Sequence, residues 1–189
     1  YPMVGMSSER LRLGVYDVAK NKTIYLNITD FTDERYLTNV TWSPDSKTIY
    51  IQVMNREQKE LNLNAYDALT GEFKATLLSE KNDQFLEPNK PLIFIDDDRF
   101  VYTTDNRDGY YNLYLYSLKK NQLTRLTRVN ADVEYLDHDN KYVYYYSAEV
   151  SSAERHLCRV NIATGKSVRL TRAEGWHQCQ LSTDKRYFS

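Results

Sequence analysis

Glycine is scarce in this chain, and its spacing excludes two common kinds of catalytic site. The 189 residues include six glycines, and no two of them are four positions apart, as the Gly-x-Ser-x-Gly turn of serine hydrolases requires. They are not clustered either, so no loop can cradle a phosphate with its backbone N–H groups. We therefore expect no catalytic residue in this chain.

Histidine and cysteine are also few. The histidines, His138, His156 and His177, are 18 and 21 residues apart, so the His-Glu-x-x-His pattern of a zinc helix cannot form. A metal site assembled from distant residues is the alternative, but we expect neither a metal ion nor another cofactor. Cys158 and Cys179 are too few for a disulfide framework. They are predicted to be buried thiols, with a bridge between them as the alternative.

No excess of either charge and no long apolar run is present. The chain has 25 basic and 26 acidic residues and a net charge of -1, whereas nucleic-acid binding needs a concentrated basic face. No segment approaches the roughly 18 consecutive apolar residues of a membrane span. We expect neither a nucleic-acid partner nor a membrane-spanning segment.

Tyrosine is abundant, with 17 copies, and its amphipathic ring favours half-buried strands. These strands are organised by internal repetition. A polar turn closed by a basic residue precedes an aromatic or β-branched strand four times, at spacings of 52, 42 and 44, and the closing residues are Lys47, Arg99, Lys141 and Lys185. A second register of two strands and a short turn recurs at spacings of 50, 50 and 44, marked by Tyr16, Tyr66, Tyr116 and Val160.

Four short strands in a unit of about 40 to 50 residues are typical of a β-propeller blade. The sequence therefore predicts an all-β fold, a β-propeller fragment of about four blades of four-stranded antiparallel sheets. A partial blade covers 1–30, blades cover about 36–80, 92–130 and 133–172, and a further blade starts at 176–189, all in a single partial propeller domain. A small closed propeller is the alternative, but ends that fall within repeats favour an arc excised from a larger one.

Three local features have both a structural and a functional interpretation. Acidic clusters at 96–98 and 137–139 could bind calcium or act as an acid and base pair, but their recurrence in one turn of the repeat favours hydrogen bonds to the local backbone. Trp42 and Trp176, near the starts of repeats, are predicted to pack between blades. Arg56 falls in the turn between the second and third strands of its blade, where it contacts a neighbour or a ligand, or is solvated.

Several motifs resemble one family. They are YPMVG at 1–5, RYLTNVTWSPDSKTIYIQVMNREQKELNLNAYDALTG at 35–71, QFLEPNKP at 84–91, TDNRDGYYNLYLYS at 104–117 and EGWHQCQLSTDKRYFS at 174–189. Together they resemble the N-terminal propeller of the dipeptidyl peptidase IV family, among the prolyl oligopeptidase-like serine peptidases, and of its bacterial members in particular. The resemblance covers nearly the whole chain in order.

The resemblance implies the non-catalytic part of a serine exopeptidase that releases Xaa-Pro dipeptides from the amino ends of peptides. The catalytic triad of the family lies in a C-terminal α/β-hydrolase domain, so this chain by itself should be inactive. Its implied partners are that domain of the same parent chain, the peptide substrate and a second copy in a homodimer. A periplasmic or cell-surface location is implied for the parent protein.

The resemblance also implies candidate substrate contacts. The family holds the free amino end of its substrate with paired glutamates in a segment that would precede Tyr1, and this chain contains no Glu-Glu pair. The loop 84–87 matches a region that approaches the substrate pocket in relatives. Phe85 and Glu87, together with Arg56, are therefore the predicted contacts, although mammalian members have an arginine and phenylalanine pair where this chain reads Gln-Phe-Leu-Glu-Pro.

A different class of function also fits a propeller without catalytic residues. A stand-alone TolB-like propeller would act as a protein-interaction or ligand-binding module. A Gly-x-Ser-x-Gly elbow further along the parent gene would favour the peptidase.

Overall fold

A computed structural model of the chain describes residue 6 and residues 9–32, 34–88 and 90–189. The YPMVG motif lies outside these described residues. The described part contains strands and turns and no helix, and therefore no helix that could cross a membrane. It divides into two compact units, Tyr1–Leu92 and Ile93–Ser189, which are described separately.

The first unit contains a two-stranded and a four-stranded antiparallel sheet. The hairpin pairs β1 (Gly14–Asp17) with β2 (Lys22–Tyr25). The four-stranded sheet has the order β3 (Tyr36–Trp42), β4 (Thr48–Met54), β5 (Glu60–Asp67) and β6 (Phe73–Lys81). Each strand pairs with the next one along the chain, which is the meander of a propeller blade.

The second unit contains two four-stranded sheets of the same kind. One has β7 (Ile93–Phe94), β8 (Arg99–Thr104), β9 (Asn112–Ser117) and β10 (Gln122–Arg125). The other has β11 (Val133–His138), β12 (Tyr142–Ser147), β13 (His156–Asn161) and β14 (Ser167–Arg169). The all-β prediction of four-stranded antiparallel sheets is confirmed, and the assignment of the whole chain to one partial propeller domain stays a prediction.

Apolar side chains on the faces of the sheets form the core of each unit. In the second unit, Val101 and Leu113 of one sheet and Val143 and Val160 of the next belong to one buried cluster. In the first unit, buried Ile49 and Ile51 of the sheet pack with Leu13 and Val15 of the hairpin segment. The sheets of each unit therefore stack face to face, and the central strands are buried on both sides.

Asp96 and Asp139 of the acidic clusters stabilise turns, as the repeat predicts, whereas Asp137 lies in β11 and accepts a hydrogen bond from Lys185. Asp96 Oδ1 accepts hydrogen bonds from the amides of residues 98 and 99 at 2.9 and 2.7 Å, and Asp139 Oδ1 accepts from those of residues 141 and 142, both at 2.7 Å. Burial opposes ionisation of Asp139, but these hydrogen bonds keep its pKa below the ordinary value. Ser43 and the Lys47 amide lower the pKa of Asp45 in the corresponding turn. These carboxylates therefore stabilise the turns in which they lie.

The two cysteines are buried and free, which confirms the prediction of two thiols. Burial raises the pKa of Cys158 to about 11 and also raises that of Cys179. The prediction for the tryptophans is wrong, since Trp42 is 46% and Trp176 63% exposed. Trp42 ends an edge strand, and Trp176 forms an isolated backbone bridge with Arg155, whose guanidinium carbon lies 5.5 Å from the centre of the Trp176 ring.

Candidate functional site

Arg56 lies in the turn that joins β4 to β5 and is half-buried. Its Nη1 donates a hydrogen bond to the hydroxyl of Tyr36 at 2.5 Å, and its guanidinium carbon lies 5.6 Å from the centre of the Tyr36 ring. Tyr36 begins β3. The arginine is therefore fixed against its own sheet rather than freely solvated.

Asn55 gives this turn its shape. Its side-chain Oδ1 accepts hydrogen bonds from the backbone amides of Lys59 and Glu60 at 2.8 and 3.0 Å. Its own backbone N–H donates to the carbonyl of Glu60 at 2.9 Å. Gln58 takes a left-handed φ of 57°, which a non-glycine residue rarely adopts. These bonds fix the backbone that presents Arg56 at the end of the sheet.

The connection that follows β6 packs on the same turn. The amide of Asn82 donates to the carbonyl of Lys59 at 3.0 Å, and the amide of Leu86 donates to the carbonyl of Gln58 at 2.6 Å. The Leu86 side chain is only 4% exposed and belongs to a cluster with Met54, Leu61 and Tyr36. Leu86 therefore anchors the connection with both its backbone and its side chain.

Phe85 and Glu87 flank this anchor, and both are exposed. Phe85 has 59% of its surface accessible. The fold thus brings the three predicted contacts, Arg56, Phe85 and Glu87, to one end of the β3–β6 sheet. Their role in binding stays a prediction.

Two polar residues that sequence reasoning missed hold the rest of the connection. Asn39 Nδ2 donates to Gln52 Oε1 at 2.9 Å and to the carbonyl of Pro88 at 3.1 Å. Gln52, 1% exposed, donates through Nε2 to the carbonyl of Lys90 at 3.3 Å. A glutamine within the apolar run TIYIQVM was the available signal, because a buried amide must find partners.

The corresponding turns of the second unit also place an arginine over a tyrosine. Arg107, between β8 and β9, lies 5.8 Å from the Tyr114 ring centre, and Arg155, before β13, lies 3.7 Å from that of Tyr146. Asp108 closes the first of these turns by accepting from the Tyr114 hydroxyl and from Arg125 Nη1, the latter at 2.8 Å. Burial and the Asp108 carboxylate raise the pKa of Tyr114.

His156 is a buried histidine with polar neighbours on both ring nitrogens. Its Nε2 lies 2.9 Å from Glu154 Oε2 and its Nδ1 3.2 Å from Thr171 Oγ1, and it is 1% exposed. The same Thr171 oxygen accepts the Leu157 amide at 3.0 Å. One repeat earlier, Thr127 makes the equivalent bonds to the Leu113 amide and to Asn112, so the threonine contact recurs in the repeat. Among the described residues, no group of three or more His, Cys, Asp and Glu side chains could hold a metal ion.

Comparison with known proteins gives a consistent result. The family model described as the dipeptidyl peptidase IV N-terminal region matches residues 1–189. A curated protein of Aspergillus flavus named Probable dipeptidyl peptidase 4 is 25% identical over 180 residues, which cover 87% of this chain and 23% of that protein. The chain thus spans less than a quarter of the length of this relative.

Two crystal structures resemble the fold. A Bacteroides ovatus protein, to which the name dipeptidyl aminopeptidase IV is assigned, superposes with a TM-score of 0.84 and 30% identity over all of this chain and 30% of that one. TolB from Acinetobacter baumannii has a TM-score of 0.61 and 20% identity, over 94% of this chain and 42% of that one, which supports the fold alone. The β-propeller prediction is confirmed. With a family model that matches every residue, the chain belongs to the dipeptidyl peptidase IV N-terminal region family.

Proposed function

We propose that this chain is the non-catalytic propeller part of a dipeptidyl peptidase IV-like serine exopeptidase, which releases Xaa-Pro dipeptides from the amino ends of peptides. The chain gates and positions the substrate for a C-terminal α/β-hydrolase domain of the same parent protein. The observation that carries this proposal is the match of the family model to residues 1–189. The site on the β3–β6 sheet supports it, because three side chains suited to a peptide lie at one end of that sheet.

Each side chain of the site has a distinct task in this proposal. The exposed ring of Phe85 packs on an apolar substrate side chain. Arg56, oriented by Tyr36, donates to a substrate carbonyl, and the Glu87 carboxylate attracts a cationic group. Their contribution to the rate is orientation, which can account for several kcal/mol of a barrier without any bond chemistry.

The remaining partners and the location belong to the same proposal. The parent protein works in the periplasm or at the surface of a bacterial cell, binds peptides and forms a homodimer. The catalytic serine, aspartate and histidine are supplied by the hydrolase domain. A Gly-x-Ser-x-Gly elbow in the parent gene supports this proposal, and its absence would favour the TolB-like binding module instead.

Substitutions in the full-length parent protein test the role of the site. We expect Phe85→Ala, Arg56→Gln and Glu87→Gln each to lower kcat/KM for release of Gly-Pro from a peptide by about five- to tenfold, because one lost contact to substrate corresponds to about 1 to 1.4 kcal/mol. Leu69→Ala is the control, since Leu69 is similarly exposed but lies in the turn at the opposite end of β5.

Two results would contradict the proposal in different ways. Unchanged kcat/KM in all three variants would remove these residues from the substrate site. Release of Gly-Pro by the 189-residue chain alone would show that the chain is catalytic after all.

A further inference from the structure

Tyr36 brings a hydroxyl group to the end of the β3–β6 sheet at which Arg56 lies. It begins β3 and is half-buried. Its ring packs against the apolar cluster of Met54, Leu61 and Leu86, and its hydroxyl accepts the hydrogen bond from Arg56 Nη1. The ring is therefore anchored in the cluster, and the hydroxyl lies beside the guanidinium.

The bond to Arg56 leaves the hydrogen of this hydroxyl unused. A tyrosine hydroxyl can donate one hydrogen bond as well as accept, whereas a guanidinium has donors only. Because Arg56 is the donor, the Tyr36 hydrogen is directed to a different acceptor. Among the described residues, no group accepts it. Tyr36 thus presents a donor whose oxygen is held in place and which has no acceptor in the described part of the chain.

Arg56 keeps further donors next to this hydroxyl. Its guanidinium carries five N–H groups in a planar fork, and the contact with Tyr36 uses one of them. Within the described ranges, no hydrogen bond or ion pair joins Arg56 to a carboxylate. A hydroxyl that accepts from one group is polarised and becomes a better donor to the next. The two side chains therefore form a pair of adjacent donors.

This pair of donors suits a backbone carbonyl of a peptide. A carbonyl oxygen has two lone pairs and can accept two hydrogen bonds. The Tyr36 oxygen and Arg56 Nη1 are 2.5 Å apart, so one oxygen can lie at hydrogen-bond distance, about 2.7 to 3.0 Å, from both. The exposed ring of Phe85 lies at the same end of the sheet, where it can contact a side chain of the same peptide.

We propose that Tyr36 is a further substrate-binding residue of this site, whose hydroxyl donates to a backbone carbonyl oxygen of the peptide. Arg56 donates to the same oxygen. The inference rests on the proposed function for the nature of the ligand, a peptide. It goes beyond the orientation of Arg56, because Tyr36 itself contacts the substrate.

Isothermal titration of the purified 189-residue chain with the peptide Gly-Pro-Ala-Ala tests this contact. Tyr36→Phe keeps the ring and removes the hydroxyl, and we expect it to weaken binding about fivefold, as for the loss of one hydrogen bond. Tyr16→Phe is the matched control, since it removes a hydroxyl that donates to Asn21 in the β1–β2 hairpin, and it should leave the affinity unchanged. Thermal melting verifies that both variants fold. Unchanged affinity in Tyr36→Phe, or no binding by the unsubstituted chain, would overturn the proposal.

A double variant separates contact from orientation. In the Arg56→Gln background there is no arginine for Tyr36 to orient, so a residue that only orients gives no further loss. Direct contact predicts that Tyr36→Phe weakens binding by a further factor of about three or more in that background. No further loss would overturn the proposal.

Release of Gly-Pro by the full-length parent protein is a separate measurement. If the parent protein releases no dipeptide but peptide binding still depends on Tyr36, the proposed peptidase function fails and the contact stands. If the parent protein is active and Tyr36→Phe binds the peptide unchanged, the contact fails and the proposed function stands.

Discussion

Two turns with the same Thr-Gly sequence lie in the two units, at Gly71 and Gly165. Both glycines are left-handed, with φ of +78° and +68°. Asp67 and Asn161 close the turns in the same way. The side-chain Oδ1 of each accepts hydrogen bonds from the backbone amides two and three residues later. The surroundings differ: a Cβ on Gly71 would lie 2.3 Å from the Tyr25 carbonyl oxygen, whereas one on Gly165 would have nothing within 4 Å.

The difference shows that one local structure serves two purposes. The Gly71 carbonyl accepts the Asn27 amide at 2.9 Å, so this turn joins the β3–β6 sheet to the segment that follows the β1–β2 hairpin. Gly165 only reverses the chain. Local sequence explains the left-handed backbone at both glycines, but the close approach at Gly71 depends on a neighbouring sheet.

The units also anchor their connections differently. In the second unit, Thr127 and Thr171 repeat one device, in which a threonine hydroxyl accepts the amide of a central strand. In the first unit, Asp30 holds the connection after β2 by accepting from Asn62 and Asn64, both at 2.8 Å. The second unit thus uses a repeated local motif, whereas the first uses side chains that are distant in sequence.

Alanine at the two glycines gives the largest expected difference between the units. We expect Gly71→Ala to lower the free energy of unfolding by about 3 kcal/mol or more, because backbone strain adds to a clash with a backbone oxygen. Gly165→Ala should cost only about 1 kcal/mol, the strain of a left-handed alanine. Urea unfolding with an unchanged m value measures both. An equal loss of unfolding free energy in Gly71→Ala and Gly165→Ala would contradict the tight packing at Gly71.

Valine at the repeated threonines tests whether the second unit uses one device twice. We expect Thr127→Val and Thr171→Val each to lower the free energy of unfolding by about 1 to 2 kcal/mol, since each leaves a buried amide without its acceptor. Thr23→Val, at an exposed position of β2, is the control and should change it by less than about 0.5 kcal/mol. A loss in only one of the two variants would show that the repeats are not energetically equivalent.

The pKa values of the turn carboxylates should be lowered in both units, and this is where we expect the two units to differ least. Asp45 and Asp139 both have a pKa below their ordinary value of 3.8. A carboxyl with a lowered folded-state pKa stabilises the fold above the unfolded-state value, and this stabilisation is lost as the pH falls through the folded-state pKa. NMR titration should give both values below 3.8. A pKa at or above 3.8 for either residue would show that its turn does not stabilise the ionised carboxylate.

The candidate site could be predicted in part. NREQKE indicated a turn that presents Arg56, and the resemblance pointed to Phe85 and Glu87. The anchoring role of Leu86 was not visible, because a leucine in a polar loop becomes an anchor only when Met54, Leu61 and Tyr36 surround it. The exposure of Trp42 was missed for a related reason, since burial depends on what covers an edge strand and not on the residue type.

The sequence by itself determined the strands, the turns and their order. Apolar residues alternate along each strand, and Asp and Asn residues form the turns. Both preferences act over a few residues, and both recur in every blade. Tertiary structure alone decided that the connection after β6 lies on the Arg56 turn and that Gly71 meets Tyr25. These contacts join residues up to tens of positions apart, and packing and hydrogen bonding between such segments select among arrangements that local preferences leave equally open.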